Sequence, residues 1–567
     1  MLCLDFCRPL HSHACQDLYS VSTPLCLDAW AAALATHPDQ GVAHYICNGL
    51  RSGFRIGFQY GSPLKSTSSN MRSATDHLEI VADYLQQELS RGRLLGRFHP
   101  SHDPPPLHIN KFGVIPKGQN TGKWRLITDL SFPHGQSVND GIDPSLCSLS
   151  YTTVDDIAAA VARLGTGALL AKVDIESAYR LIPVHPQDRP LQAVQWEGKI
   201  YVDPMLPFGL RSAPKIFNAV ADALNWYLQQ SGITLVYHYL DDFIIIGPPH
   251  SPQCAHSLTI LDKVCTVLHI PMAAHKCEGP TTCLVILGIQ IDMQLGELSL
   301  PADKLGRLRS LLQECGHKRA CTRKELESLI GLLNHACKVV RSGKSFLRRM
   351  IDLLHAVQPS QPFIRLNAGF RSDLAWWNTF IYKWNGVSFL TPPSHLLQVK
   401  ITSDASGTWE CGAWHNQSWF QVQWDSRAQA LSIAEKELIP IILAMAAWGS
   451  EWSNRQAVYH CDNQVVVACL ISRTSKCKRL MHLLRCLLFI EAQQRCYLHP
   501  LYIDTHSNYL ADVLSLNNLP LFPSKFPGAD HHPTTTSLPL LDLLLDPSAD
   551  WISPRWSRLF STTFGTA

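Results

Sequence analysis

Leu235-Val-Tyr-His-Tyr-Leu-Asp241-Asp242-Phe-Ile-Ile-Ile-Gly247 sets two apolar runs, rich in β-branched and aromatic residues, on either side of a pair of aspartates. Those residue types favour strands, and two strands so briefly interrupted make a hairpin, so both carboxylates are expected at or near its turn. An isolated Asp-Asp pair is often no more than a solvated turn. Upstream, however, Leu169-Leu-Ala-Lys-Val-Asp174 is a second buried-strand pattern that ends on a carboxylate and leads into Ile-Glu-Ser-Ala-Tyr179. Carboxylates from adjacent strands can converge on hard divalent cations, and Mg²⁺ prefers one or two of them together with substrate phosphate oxygens.

The chain around this centre has 567 residues, more than the roughly 250–300 at which one hydrophobic core stops growing, so at least two domains are expected. With 46% apolar and 17% charged residues it can bury those cores, which excludes a disordered or collagen-like chain. A net charge of +3 leaves any nucleic-acid surface to a local patch. Residues 1–10 lack the basic and apolar regions of a signal peptide, and no apolar run reaches the roughly 20 residues of a membrane span. An intracellular chain, cytoplasmic or nuclear, is expected, neither secreted nor in contact with a membrane. The 19 cysteines, scattered through apolar segments, read as buried thiols of a reducing compartment. The group Cys3, Cys7, His11, His13 and Cys15 lacks the spacing of a standard zinc site.

Five zones follow from the pattern. Residues 1–90 form an N-terminal extension without visible chemistry, 91–300 alternate strand-like and helical runs, and 301–395 are mainly helical. In the third zone Thr322-Arg-Lys-Glu325 is a capping box ahead of the run 326–340. Residues 396–519 make a second α/β pattern, and 520–567, with Pro520, Pro523, Pro527 and Thr534 to Thr536, read as a tail of low structural content. In the second α/β zone Gln398-Val-Lys-Ile-Thr-Ser-Asp404 and Ala457-Val-Tyr-His-Cys-Asp462 are strands ending on carboxylates, and Asn508-Tyr-Leu-Ala-Asp512 begins a short helix. Residues 432–448 read as a helix that Pro440 can kink, carrying Glu435 and Glu437. Two residues apart is about 200° of helix, so only one of those glutamates can join a shared site; the other points to solvent or a neighbouring surface.

In order and spacing, Asp174 with Tyr179, Leu206-Pro-Phe-Gly-Leu-Arg-Ser-Ala-Pro214, Tyr239-Leu-Asp-Asp242, His275-Lys-Cys277 and Leu287-Gly-Ile-Gln-Ile291 resemble the palm motifs of reverse transcriptases. Phe112-Gly-Val-Ile-Pro-Lys117 and Lys123-Trp-Arg125-Leu-Ile-Thr-Asp129 resemble the fingers motifs that hold the incoming triphosphate. The stretch 124–142, with Ser137-Val-Asn-Asp-Gly-Ile142, is most similar to the DIRS-like, tyrosine-recombinase class of retrotransposons. Asp404, Glu437, Asp462 and Asp512 resemble the four-carboxylate site of ribonuclease H.

The resemblance implies an α+β right-hand polymerase of fingers and palm (91–300) with thumb and connection (301–395), followed by a ribonuclease-H-like α/β domain (396–519). It implies an RNA-directed DNA polymerase that copies retroelement RNA and cleaves the RNA of RNA/DNA hybrids. Its partners would be an RNA template, a DNA primer and product, the hybrid and deoxynucleoside triphosphates, with other element-encoded proteins alongside. Asp174, Asp241 and Asp242 would hold two Mg²⁺ ions, or Mn²⁺ in their place, and the four ribonuclease H carboxylates another two. Lys117 and Arg125 would bind the triphosphate, Tyr179 would exclude ribonucleotides, and Phe208 would pack on the base pair. The 12 Lys/Arg against 3 Asp/Glu in 304–349 would suit a thumb gripping phosphates. The alternative is an inactive or domesticated remnant that only binds nucleic acid; acidic residues at all seven metal positions argue against it.

Overall fold

The computed structural model describes residues 18–67, 69–98, 107–116, 124–358, 361–383, 388–389, 399–453, 456–494, 496–516 and 521–546, and divides into two compact units, Met1–Ile286 and Leu287–Ala567. The hairpin at the aspartate pair is present. Strand Val236–Tyr239 returns as Asp242–Gly247, with Tyr239 opposite Asp242, so Leu240 and Asp241 form the turn. Leu240 takes φ +53°, a left-handed conformation that costs a non-glycine residue about 1–2 kcal/mol. The strand Leu169–Asp174 lies on the other side of Asp242–Gly247, and Glu278–Thr281 completes an antiparallel sheet of four. Phe243, Ile244, Ile245 and Ile246 are all at most 2% exposed, which is why this inner strand reads as an unbroken apolar run instead of an alternating one. The helix Ala213–Gln230 lays Ile216, Phe217, Val220 and Leu224 into the same core, at the helical spacing visible in the sequence.

Residues 1–90 are more than an extension. Trp30, Leu34, Ile46, Leu50 and Phe54 are at most 1% exposed within the core that holds the palm sheet. Burying five such side chains is worth about as much as the roughly 5–15 kcal/mol net stability of a domain. Polar contacts fix the same segment. Asp188, fully buried, accepts hydrogen bonds from Arg55 Nε (2.8 Å), Ile56 N (2.9 Å) and Tyr60 Oη (2.8 Å), while Arg189 donates to the carbonyls of Leu18 and Ser20. The sequence hid this because short amphipathic helices do not announce their partner. A second sheet of five strands carries Ile109–Pro116 and Trp124–Asp129, paired antiparallel as the fingers hairpin.

In the second unit, the helices Ala302–His317, Arg323–Ala336, Arg348–Ala356 and Ala368–Lys383 fill the zone expected to be helical, and Thr322 with Glu325 form the capping box. The α/β zone is a five-stranded sheet in the order Ser418–Gln423, Glu410–His415, Val399–Ala405, Gln456–Cys461, Tyr497–Tyr502. The first two pairings are antiparallel and the last two parallel. The helix Ile433–Trp448, with Pro440 inside it, is buried over most of its surface. An α+β first unit and a mixed α/β sheet in the second agree with the fold class expected.

The tail reading needs correction. Phe522 is fully buried with its ring 5.3 Å from that of Trp419, and Leu538–Leu545 is a helix whose Leu540, Leu541, Leu543, Leu544 and Leu545 are buried. A proline in the first helical turn starts a helix instead of breaking one, which the count of prolines concealed. Residues 547–567 lie outside the described residues, as does the group Cys3, Cys7, His11, His13 and Cys15. Among the described residues no helix is long and apolar enough to cross a membrane.

Candidate active sites

Pairing across the palm sheet puts Asp174 directly opposite Asp242, and Ile175 N donates to Asp241 O at 3.0 Å, so the three aspartates meet at one sheet end. Burial pushes the carboxyls of Asp241 and Asp242 above the ordinary carboxylate range. Asp174 pushes both further, and Asp241 adds its own repulsion to Asp242. Lys276 Nζ opposes that repulsion, donating to both oxygens of Asp174 at 2.8 and 2.9 Å. The sequence pattern His275-Lys-Cys277 marked this lysine without assigning it a role. All donors converging here are oxygens at the ends of adjacent strands, the set a hard divalent cation takes.

Tyr179 sits on the short turn Ala178–Leu181 with its ring 5.4 Å from Phe208 and 5.5 Å from Phe217. Its hydroxyl is pushed up to about 12 by burial first and then by Tyr151, Asp241 and Tyr239, which places it beside the aspartates. The Arg125 guanidinium lies 5.5 Å over the Phe208 ring and lowers the Asp241 carboxyl, so it too faces this site. Phe208 itself is 42% exposed, an apolar ring open to solvent at the site's edge. Tyr151, whose ring is 5.0 Å from Tyr239, completes the aromatic wall and was missed because no motif surrounds it. Lys117 lies outside the described residues.

The second cluster follows from strand direction. Val399–Ala405 and Gln456–Cys461 run parallel, so Asp404 and Asp462 lie at the carboxyl ends of neighbouring strands, where open α/β sheets place their ligands. The helix Ile433–Trp448 brings Glu437 to them, and Asp512 comes from the short helix Tyr509–Ser515. Burial, then Asp404 and Asp462, push the Glu437 carboxyl up to about 9. Burial, then Asp462 and Asp512, bring Asp404 to about 6, and burial with Asp462 raises Asp512. The four carboxylates therefore share one electrostatic site. Ser515 Oγ donates to Asp404, and Asn508 Nδ2 donates to Asp462 Oδ1 and to the Ser403 carbonyl, both at 3.2 Å. These two supports were not read from the sequence, although Asn508 and Ser515 flank the quoted Asp512. Glu437 is 5% exposed and its Oε2 has no hydrogen-bond partner. An orphaned carboxylate oxygen beside the carboxylates of Asp404 and Asp462 fits a divalent cation, which would supply the missing positive charge.

The opposition of the two glutamates holds, but Glu435 does not reach solvent. It is 9% exposed and folds back on its own helix, accepting from Ser432 N at 2.8 Å as the third residue of a capping box. The orphan amides of a helix start attract a nearby carboxylate more strongly than solvent does.

Residues 115–291 match the family described as reverse transcriptase (RNA-dependent DNA polymerase), so a reverse transcriptase domain occupies that segment. The chain is similar to retroelement polyproteins. It is 28% identical over 185 residues to the retrovirus-related Pol polyprotein from transposon gypsy of Drosophila melanogaster, covering 32% of this chain and 16% of that protein. It is 23% identical over 333 residues to the Pro-Pol polyprotein of feline foamy virus, covering 58% of this chain and 25% of that protein. The matched part thus spans a quarter or less of the length of these relatives. Among solved structures, a foamy viral protease-reverse transcriptase in complex with double-stranded DNA aligns over 88% of this chain and 84% of that one, at 14% identity and a TM-score of 0.49.

Proposed function

We propose that this chain is an RNA-directed DNA polymerase with an attached ribonuclease H, working on retroelement RNA. The observation that carries the reading is the register of the palm sheet: Asp174 faces Asp242, Asp241 sits in the intervening turn, and Arg125, Tyr179 and Phe208 border them. Asp174, Asp241 and Asp242 would hold Mg²⁺, or Mn²⁺, whose charge lowers the barrier to in-line attack of a 3′ hydroxyl on a triphosphate. The protein's own part is positioning. Arg125 offers a planar fork to phosphate oxygens, the Phe208 face is available to a base, and the Tyr179 ring occupies the volume a ribose 2′ hydroxyl would need. Lys276 holds the Asp174 carboxylate in place.

In the second unit, Asp404, Glu437, Asp462 and Asp512 would hold the ions for hydrolysis of an RNA phosphodiester, with Ser515 and Asn508 orienting two of the ligands. RNA template, DNA primer, hybrid and deoxynucleoside triphosphates are the substrates this reading requires. It places the chain inside the cell beside other element-encoded proteins.

The DIRS-like assignment belongs to the same proposal and rests on 124–142, within which lies 137–142. There Asp140 accepts from Ser137 Oγ (2.6 Å) and Gly135 N (2.7 Å), and Asn139 bridges Gly209 O (2.9 Å) and Arg211 N (2.8 Å), tying this stretch to the Leu-Pro-Phe-Gly motif.

Primer extension with purified protein, Mg²⁺ and either an RNA or a DNA template tests the polymerase reading. Deoxynucleotide incorporation on the RNA template is expected; a folded protein that extends only on DNA, or on neither, overturns it.

A further inference from the structure

The carboxylate cluster of the second unit contains a group that hard-cation chemistry does not use. Cys461, fully buried, is the last residue of the strand Gln456–Cys461. Strand alternation puts it with Tyr459 on the face opposite His460. Its Sγ, a carboxylate oxygen of Glu437 and one of Asp462 lie within 4.8 Å of one another. One oxygen of the same Glu437 carboxylate, Oε2, has no hydrogen-bond partner. Mg²⁺ takes oxygen ligands in near-octahedral geometry, so a thiol contributes nothing to it. Zn²⁺ and Cd²⁺ bind thiolate and carboxylate together; tetrahedral zinc, with metal–sulfur near 2.3 Å and metal–oxygen near 2.1 Å, spaces its ligands about 3.6 Å apart. Ligand atoms within 4.8 Å of one another stand at most about 1.2 Å beyond that spacing.

We propose that Cys461, Glu437 and Asp462 form a mixed sulfur–oxygen site for a thiophilic divalent cation, zinc or cadmium, which competes with the hard cation of the carboxylate cluster. The inference rests on the reading of Glu437 and Asp462 as cation ligands. On binding, the Cys461 S–H bond is replaced by a sulfur–metal bond and the proton leaves to solvent. Asn463 N, 3.4 Å from Sγ, remains a donor to the resulting thiolate. The consequence is a chain whose ribonuclease centre is blocked by soft metals through a residue outside its four carboxylates.

The test uses the full chain without nucleic acid. Cd²⁺ is titrated while the ultraviolet thiolate-to-metal charge-transfer band is followed in the parent, in Cys461→Ser and in Cys283→Ser, an exposed thiol of the first unit. The parent should show a high-affinity component that excess Mg²⁺ shifts to higher Cd²⁺. Cys283→Ser should keep it, and Cys461→Ser should lose it or require roughly tenfold more Cd²⁺ or beyond. An unchanged titration in folded Cys461→Ser, or a component indifferent to Mg²⁺, overturns the proposal. If Cys461→Ser does not fold, Asp462→Asn answers the same question: a weakened component supports the site and an unaltered one overturns it. Hybrid cleavage is assayed separately, so a failure of the ribonuclease reading would show as absent cleavage beside an intact Cd²⁺ band.

Discussion

Because the Tyr179 ring touches Phe217 in the core on one side and Phe208 at the open edge on the other, truncating it separates packing from sugar selection. Tyr179→Ala should retain deoxynucleotide extension and raise ribonucleotide incorporation by roughly 10–200-fold, the range one steric contact in a pocket supplies. Unchanged sugar discrimination in a folded variant would return Tyr179 to the core alone. Lys276 makes a second residue-scale test. The carboxyls of Asp241 and Asp242 are already raised, chiefly by burial, and Lys276 is among the groups holding them down. Cation binding needs the ionised forms, which are lost as pH falls through the raised values, so removing the ammonium raises them further. Lys276→Met should move the acidic limb of the extension-rate profile to higher pH; a limb that stays put or moves down would contradict the electrostatic role.

On the helix Ile433–Trp448, register alone divides two glutamates. Glu437→Gln should suppress RNA cleavage in a hybrid by orders of magnitude. Glu435→Gln should leave it near the parent rate, since glutamine also closes a capping box. Glu435→Ala, which loses the cap, should lower stability by about 0.3–1.5 kcal/mol without a matching loss of cleavage. The measurement is hydrolysis of a labelled RNA/DNA duplex, with circular dichroism on each variant; a severe cleavage loss at Glu435 beside a mild one at Glu437 would show the register misplaced. That opposition could be read from the sequence because it depends only on 3.6 residues per turn. The destination of Glu435 was missed although Ser432-Ile-Ala-Glu435 repeats the pattern read as a capping box at Thr322 to Glu325, because the reading followed only the face on which each glutamate lies. Likewise the palm hairpin was legible from two apolar runs, whereas Lys276 meeting Asp174 requires the chain to return across the sheet. Such long-range meetings leave no local signature.

At the scale of the whole molecule, composition misled at both ends of the chain. The short helices within 1–90 and the Leu-rich helix Leu538–Leu545 are amphipathic or apolar pieces whose meaning is a partner far away in sequence. If the latter helix is part of the second unit's fold, Leu544→Ala should destabilise that unit by about 2–5 kcal/mol in a thermal or urea unfolding measurement, as buried leucines do. A structureless tail would give a change below about 0.5 kcal/mol. Because each of the two compact units has its own convergence of carboxylates, the proposal predicts that the two activities can be silenced separately. The most direct test of that claim is a crossed pair of variants, Asp241→Asn and Asp462→Asn, each assayed for primer extension on RNA and for hybrid cleavage. Asp241→Asn should abolish extension and leave cleavage largely intact, and Asp462→Asn should do the reverse; loss of both activities from either change in a folded protein would contradict the account.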